Sequence, residues 1–230
     1  MKKNKIGILL SALLLTAMVF VPCVSAYKAS SYGTNYGYVG GEQLDTSAAA
    51  SFATDALGYM GYSSTHASNN PTTAFNRLKN DNVFFFDGHG AAGQISFASG
   101  SAMYATGSIS PTISQLTYNQ ADDVALAVYM ACNTANTGTY GNLLSTSTSS
   151  RGMDSAVGWT QSIYSGQSGT WSDNFWYRLG QGYDIETAAI FADAAVQAEF
   201  GTYSQGGMNY HDIAGNEYMV IDPARAGSWG

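Results

Sequence analysis

Two kinds of hydrophobic pattern alternate along this chain. Val83-Phe-Phe-Phe86 is a continuous apolar run stopped by Asp87-Gly88, and Val124 to Ala131 is a longer one rich in Val, Leu and Tyr. Short runs without alternation, closed by turn residues, are the pattern of strands buried on both faces. Asp154 to Trp159 repeats it more weakly, which gives three central strands. Gln94 to Phe97 predicts a small hairpin beside the first of them, and Gly61 to Ser64 a short strand.

Between these runs the spacing becomes helical. Asp45-Thr-Ser47 offers a cap before Ala48 to Met60, where Phe52, Ala56, Leu57 and Met60 share a stripe. Asn70-Pro71-Thr72 opens a second helix through Phe75 and Leu78 to Lys79, with proline in its first turn. Ser168 predicts the start of a third, carrying Trp171, Phe175, Trp176 and Leu179 and ended by Gly180 and Gly182. Asp184 starts a fourth, with Ile185, Ala188, Ala192, Ala195 and Val196 on one stripe and Gly201 beyond it. Such alternation predicts an α/β domain whose mostly parallel sheet is covered by helices on both faces, with ligands bound at the carboxyl ends of the strands. The Tyr, Gly and Ser-rich stretch Tyr27 to Gly41 reads as a loose arm or a first edge strand around Asn35 to Val39.

The first 26 residues stand outside this pattern. A basic start, Met1-Lys-Lys-Asn-Lys5, is followed by an uncharged apolar run from Ile6 to Val21, then Pro22 and the small residues Val24-Ser-Ala26. That is a secretory leader with cleavage expected after Ala26, so the protein is expected to be secreted or at the cell surface. Nothing later in the sequence reads as membrane-spanning. The mature chain is expected to comprise an arm or edge strand to residue 44 and one domain over 45–230, since about 200 residues make one good core. The leader takes three of the nine basic residues and leaves six against sixteen acidic ones, a formal charge of −10. That balance argues against nucleic acid or an anionic membrane as partner, and makes a basic residue at a substrate's reacting position plausible.

Of the two cysteines, Cys23 lies in the leader, so Cys132 alone remains after export. It cannot form an internal disulfide and is either a buried filler or a working thiol. Its setting decides between them. Ala131-Cys132 closes the second apolar run as His89-Gly90 follows the first, so both project from the same edge of the predicted sheet. A hydrophobic block ending in His-Gly, and a second some forty residues later ending in Ala-Cys, resembles the signature of caspases, gingipains, legumains, clostripain and separases. The strand at Ala156 to Trp159, then Asn174-Phe-Trp176 and Gly182 before an alanine-rich helix, is similar to the gingipain-like bacterial branch.

The resemblance implies a caspase-like three-layer sandwich and a cysteine peptidase, with a protein or peptide substrate. Cys132 would be the nucleophile and His89 its acid and base; the Gly90 and Cys132 N–H groups would form the oxyanion hole. It implies no metal or redox cofactor. The residue types suit the chemistry: a thiolate attacks, an imidazole near neutral pKa moves the proton, and a glycine lets its backbone approach a carbonyl. Each residue also has a structural reading. Gly88 and Asp87 read as turn chemistry, Thr134 either lies near the nucleophile or caps a strand end, and Trp171 and Trp176 fit a core stripe. Asp122-Asp123 reads as a solvated pair, although in this family acidic residues select basic side chains. His66 and His211 lack the spacing of metal ligands around His89. Two other functions stay open at this level: an extracellular binding module that keeps the fold without chemistry, and a thiol hydrolase of small amides or esters.

Overall fold

The structure, a computed structural model, describes residues 27–39, 42–201, 207–221 and 223; the expected leader lies outside the described residues. A six-stranded sheet forms the centre, built from β1 (Lys28–Tyr32), β4 (Ser63–His66), β5 (Val83–Asp87), β9 (Leu126–Met130), β10 (Ser155–Trp159) and β11 (His211–Gly215). Its order is β11-β10-β9-β5-β1-β4. Every pairing is parallel except β10 with β11. A two-stranded ribbon, β2 (Asn35–Val39) with β3 (Glu42–Asp45), and a three-stranded sheet of β6 (His89–Ala91), β7 (Gln94–Ser96) and β8 (Ala102–Tyr104) stand beside it.

The unbroken apolar runs are explained by two cores, one on each face. Val83 and Phe85 belong to one cluster and Phe84 and Phe86 to the other; Val128 and Met130 oppose Ala127, Tyr129 and Ala131 in the same way. Because successive side chains point to opposite faces, a strand covered on both sides must be apolar at every position. The first face is covered by α1 (Ser47–Tyr59), α5 (Ser165–Gly180) and α6 (Ile185–Phe200), which bring Leu57, Trp171, Phe175, Trp176 and Ala192. The second face takes Phe75 and Leu78 from α2 (Pro71–Leu78), Ala121 from α3 (Tyr118–Asp122) and Leu143 and Leu144 from α4 (Leu143–Ser145). Asn70 and Asp184 cap α2 and α6 as expected, accepting from Thr72 and Thr73 N–H and from Thr187 N–H. The layers are helix, sheet, helix, the α/β sandwich anticipated from the sequence.

Three expectations need correction. Lys28 to Tyr32 is neither a loose arm nor an edge: it pairs with β4 on one side and β5 on the other, and Ala29, Ser30, Ser31 and Tyr32 are all buried. Its Ala-Ser-Ser core carries too little hydrophobic signal to announce an interior strand. The expected strand at Asn35–Val39 exists, but as β2 of the separate ribbon. The third predicted helix starts at Ser165, and Ser168 lies buried within it, its hydroxyl donating to the Ser165 carbonyl at 3.0 Å.

Candidate functional site

β5 and β9 are neighbours, in register from Val83 with Leu126 to Asp87 with Met130. His89 and Cys132 each follow two residues after that last pair, so they leave the carboxyl edge of the sheet on adjacent strands about 4.8 Å apart. Gly88 N–H still donates to the Met130 carbonyl at 3.1 Å, holding the two departing segments together. Gly90 completes the approach. A Cβ there would stand 2.6 Å from the Ala131 Cβ, 3.0 Å from the Thr134 Cγ2 and 3.1 Å from the Cys132 carbonyl oxygen. Only a residue without a side chain lets the His-Gly segment lie on the Ala-Cys segment.

The loop carrying Cys132 is tied to the end of β10. Thr134 is fully buried; its hydroxyl donates to the Tyr129 and Ala131 carbonyls and accepts from Trp159 N–H. Of its two sequence readings, this is the strand-end cap. Asn133 turns the chain through a left-handed conformation, φ 60°, and its N–H donates to the Gln161 carbonyl. Asn136 Nδ2 donates to the Thr160 carbonyl at 2.8 Å. Thr134→Val keeps the shape and removes the hydroxyl's shared donor bond and the bond it accepts, so a urea melt should show a loss of about 1–3 kcal/mol; unchanged stability would deny the strap its role.

Cys132 is half-buried, and its sulfur lies between the two polar groups of Ile163: the Ile163 N–H donates to Sγ at 3.4 Å, and Sγ donates to the Ile163 carbonyl at 3.7 Å. The sulfur is thus held at a fixed place by one residue of the chain after β10. His89 is also half-buried, and its Nε2 is enclosed without a hydrogen-bond partner among the described residues. A proton on that nitrogen would be a buried N–H with no acceptor, and burial accordingly holds His89 below the ordinary histidine range. No hydrogen bond joins Nε2 to Cys132 Sγ.

Asp87 is not turn chemistry. It ends β5, is buried, and its Oδ2 has no partner. Burial, with the charge of Asp173 on α5 added, raises its carboxyl well above the usual range. The folded state therefore holds this proton more tightly than the unfolded chain, and stability falls as pH rises from about 4. Asp87→Asn should make that decline shallower, as measured by urea melts at pH 4 and pH 7; an unchanged slope would place its origin elsewhere.

Other candidates lie apart from this edge. Asp122 and Asp123 line, with Asp154, Asn82 and Tyr27, a cavity of about 290 Å³ at the amino-terminal ends of the strands. They lie at the opposite end of the sheet from His89 and Cys132. His66 sits on edge strand β4, its Nε2 2.9 Å from the Gly33 carbonyl, and His211 lies 3.4 Å from Asp193 on the far strand β11. Trp171 and Trp176 are buried in the first core. Ile163 and Tyr36, whose ring meets His89 at 5.0 Å, went unnoticed in the sequence. A backbone contact leaves no sequence signal, and one tyrosine among sixteen does not stand out.

No known family profile matches the chain, and neither does any curated protein sequence. Solved structures do. The crystal structure of gingipain R, an Arg-specific cysteine proteinase, superposes with a TM-score of 0.56 at 11% identity, over 85% of this chain and 47% of its own. The complex of the pro- and mature domains of RgpB from Porphyromonas gingivalis gives 0.53 at 8% identity, over 85% and 48%. The fold is that of the gingipains. The chain spans about half the length of these gingipain structures. At such low identity the gingipain likeness speaks for the caspase-like architecture, a fold that carries cysteine proteinases.

Proposed function

We propose that this chain is an exported cysteine peptidase in which Cys132 is the nucleophile and His89 the proton-transfer group. The observation that carries the reading is the register: a histidine and the sole cysteine outside the leader follow adjacent parallel strands at equivalent positions, on a gingipain-like fold. His89 takes the Cys132 thiol proton as the sulfur attacks the scissile carbonyl carbon, and the oxyanion is met by the N–H groups of Gly90 and Cys132. The carbon–nitrogen bond breaks as His89 gives its proton to the departing amine, leaving a thioester on Cys132. Water then attacks the thioester, His89 takes a proton from it, and the free acid and thiol are released. With Nε2 enclosed, this traffic falls to Nδ1.

Arg specificity does not transfer with the fold. From Gly88 to Ala121 and from Val124 to Ser150 the chain has no Asp, Glu, Lys or Arg, so the segments flanking the dyad offer no carboxylate to pair a guanidinium. Asp87, just before these segments, and Asp173, whose charge reaches it, are both pushed upward by burial, so the scissile residue is read as uncharged. A positional-scanning peptide library tests both parts: cleavage after neutral residues supports the assignment, whereas turnover of small amides without cleavage of any peptide favours a small-molecule thiol hydrolase. Labelling with an iodoacetamide probe tests the thiol itself. A Cys132 no more reactive than an ordinary thiol, and indifferent to His89→Ala, would sink the enzyme in favour of a binding module. Export is checked by the mass of the protein recovered outside the cell, expected to begin at Tyr27.

A further inference from the structure

The ribbon β2–β3 has no part in the mechanism above, yet it brings an aromatic ring to the imidazole. Tyr36, on β2, meets His89 edge to face, with ring centroids 5.0 Å apart and planes at 72°. Its hydroxyl is tied down: it donates to the Ser96 carbonyl on β7 at 3.3 Å and accepts from Asn69 Nδ2 at 3.4 Å. The same Asn69 side chain accepts from the Ala98 N–H at 2.8 Å, so the anchor is itself fixed to the segment after β7. Ser96 in turn pairs with His89 in the β6–β7 register. Tyr36 therefore closes a ring of contacts that starts and ends on the histidine.

Gly88 fits the same arrangement. A Cβ at that position would stand 2.2 Å from the Tyr36 hydroxyl oxygen and 2.7 Å from its Cζ. The phenol head thus lies directly against the backbone one residue before His89. The reading of Gly88 as a strand-ending turn is incomplete, since its missing side chain also makes room for the tyrosine.

We propose that Tyr36 is the positioning residue of His89, its ring fixing the imidazole plane and excluding water from one side while Ser96 and Asn69 hold the ring in place. The inference rests on the assignment of His89 as the proton-transfer group. Physically, an imidazole on the short β6 strand has two free side-chain torsions, and a misplacement of about an ångström in a catalytic group costs up to about a hundredfold in rate. An edge-to-face aromatic contact supplies on the order of 1 kcal/mol of orientation. The groups that bear on the imidazole's titration are few. Asp87 precedes it on β5, Cys132 follows the neighbouring strand, Tyr36 comes from the ribbon, and burial is what shifts it. Taking the ring away reduces that burial.

The test uses the full mature chain with its three histidines isotopically labelled, the His89 resonance being identified by its loss in His89→Ala. In the parent, the midpoint of the His89 titration lies below the ordinary value of about 6.5. Tyr36→Ala should move it up toward that value and, with a peptide substrate, lower kcat about tenfold or more with little change in KM. Tyr36→Phe keeps the ring but releases its anchors on Ser96 and Asn69, and should fall between the parent and Tyr36→Ala. Gly88→Ala, which pushes the phenol away without deleting it, should resemble Tyr36→Ala, and it carries the test if that variant does not fold. A His89 midpoint that stays at its parent value in both Tyr36→Ala and Gly88→Ala overturns the proposal. The two readings fail differently: an inert Cys132 in the parent ends the peptidase, while the displaced midpoint still reports Tyr36 acting on His89.

Discussion

Cys132→Ala is expected to lower peptide turnover by a factor on the order of 10³ or more, and to abolish labelling by a thiol probe. The size follows from the chemistry. Without sulfur there is no thioester, and the remaining apparatus binds substrate and polarises its carbonyl without a nucleophile to attack it. Stability should change little, since Cys132 is half-buried and, among the described residues, its sulfur hydrogen-bonds the Ile163 backbone alone. That separation matters for interpretation. A variant that melts like the parent and does not turn over identifies a working thiol, whereas one that melts early and keeps its activity identifies a packing residue. Retained turnover in a folded Cys132→Ala protein would remove the nucleophile and with it the proposed mechanism. His89→Ala should fall in the same direction by a smaller factor, about 10² to 10⁴, the range of general acid–base catalysis.

Gly90→Ala is expected to cost about a hundredfold in activity, and its cause is steric. The added methyl meets the Ala131 Cβ at 2.6 Å and the Cys132 carbonyl oxygen at 3.1 Å, both belonging to the segment that carries the nucleophile. Neither neighbour is a flexible side-chain end. Ala131 is fully buried, and the Cys132 loop is strapped to β10 by Thr134, Asn133 and Asn136. The strain is therefore relieved by moving the His-Gly segment away from the Ala-Cys segment. Overpacking of this kind costs about 1–3 kcal/mol of stability. The effect on rate is larger, on the order of a hundredfold in kcat/KM, because the separation of His89 from Cys132 and the position of the Gly90 N–H change together. Parallel measurement of denaturant midpoint and kcat/KM decides the matter; parent-like activity would mean that the close approach of the two segments is not needed for catalysis.

The elements that could be read from the sequence are those with physical reasons to be written there. β5 and β9 are buried on both faces and so are apolar at every position, and Asn70 and Asp184 cap their helices through local hydrogen bonds. β1 escaped because its interior position is sustained by backbone pairing to two neighbours while its side chains are small: Ala29, Ser30 and Ser31 fit under α1 and beside Asp81 without hydrophobic bulk. The start of α5 was misplaced because Ser168, a good capping residue type, is used inside the helix.

For the site, the order of residues alone establishes which chemistry is available. Apart from Cys23 in the expected leader the sequence holds one thiol, it follows an apolar run that reads as a buried strand, and a His-Gly pair follows another. These are local facts about composition and order, and they hold whatever the chain does in space. It took the folded chain to establish that the two strands are neighbours in register, that Gly90 lies against the Cys132 backbone, that Asp122 and Asp123 face the opposite end of the sheet, and that Ile163 brackets the sulfur. Contacts of this kind join residues tens of positions apart through backbone groups and packing, which any sequence satisfying the same geometry can supply. That is why Tyr36, more than fifty residues before His89, became visible only in the folded molecule.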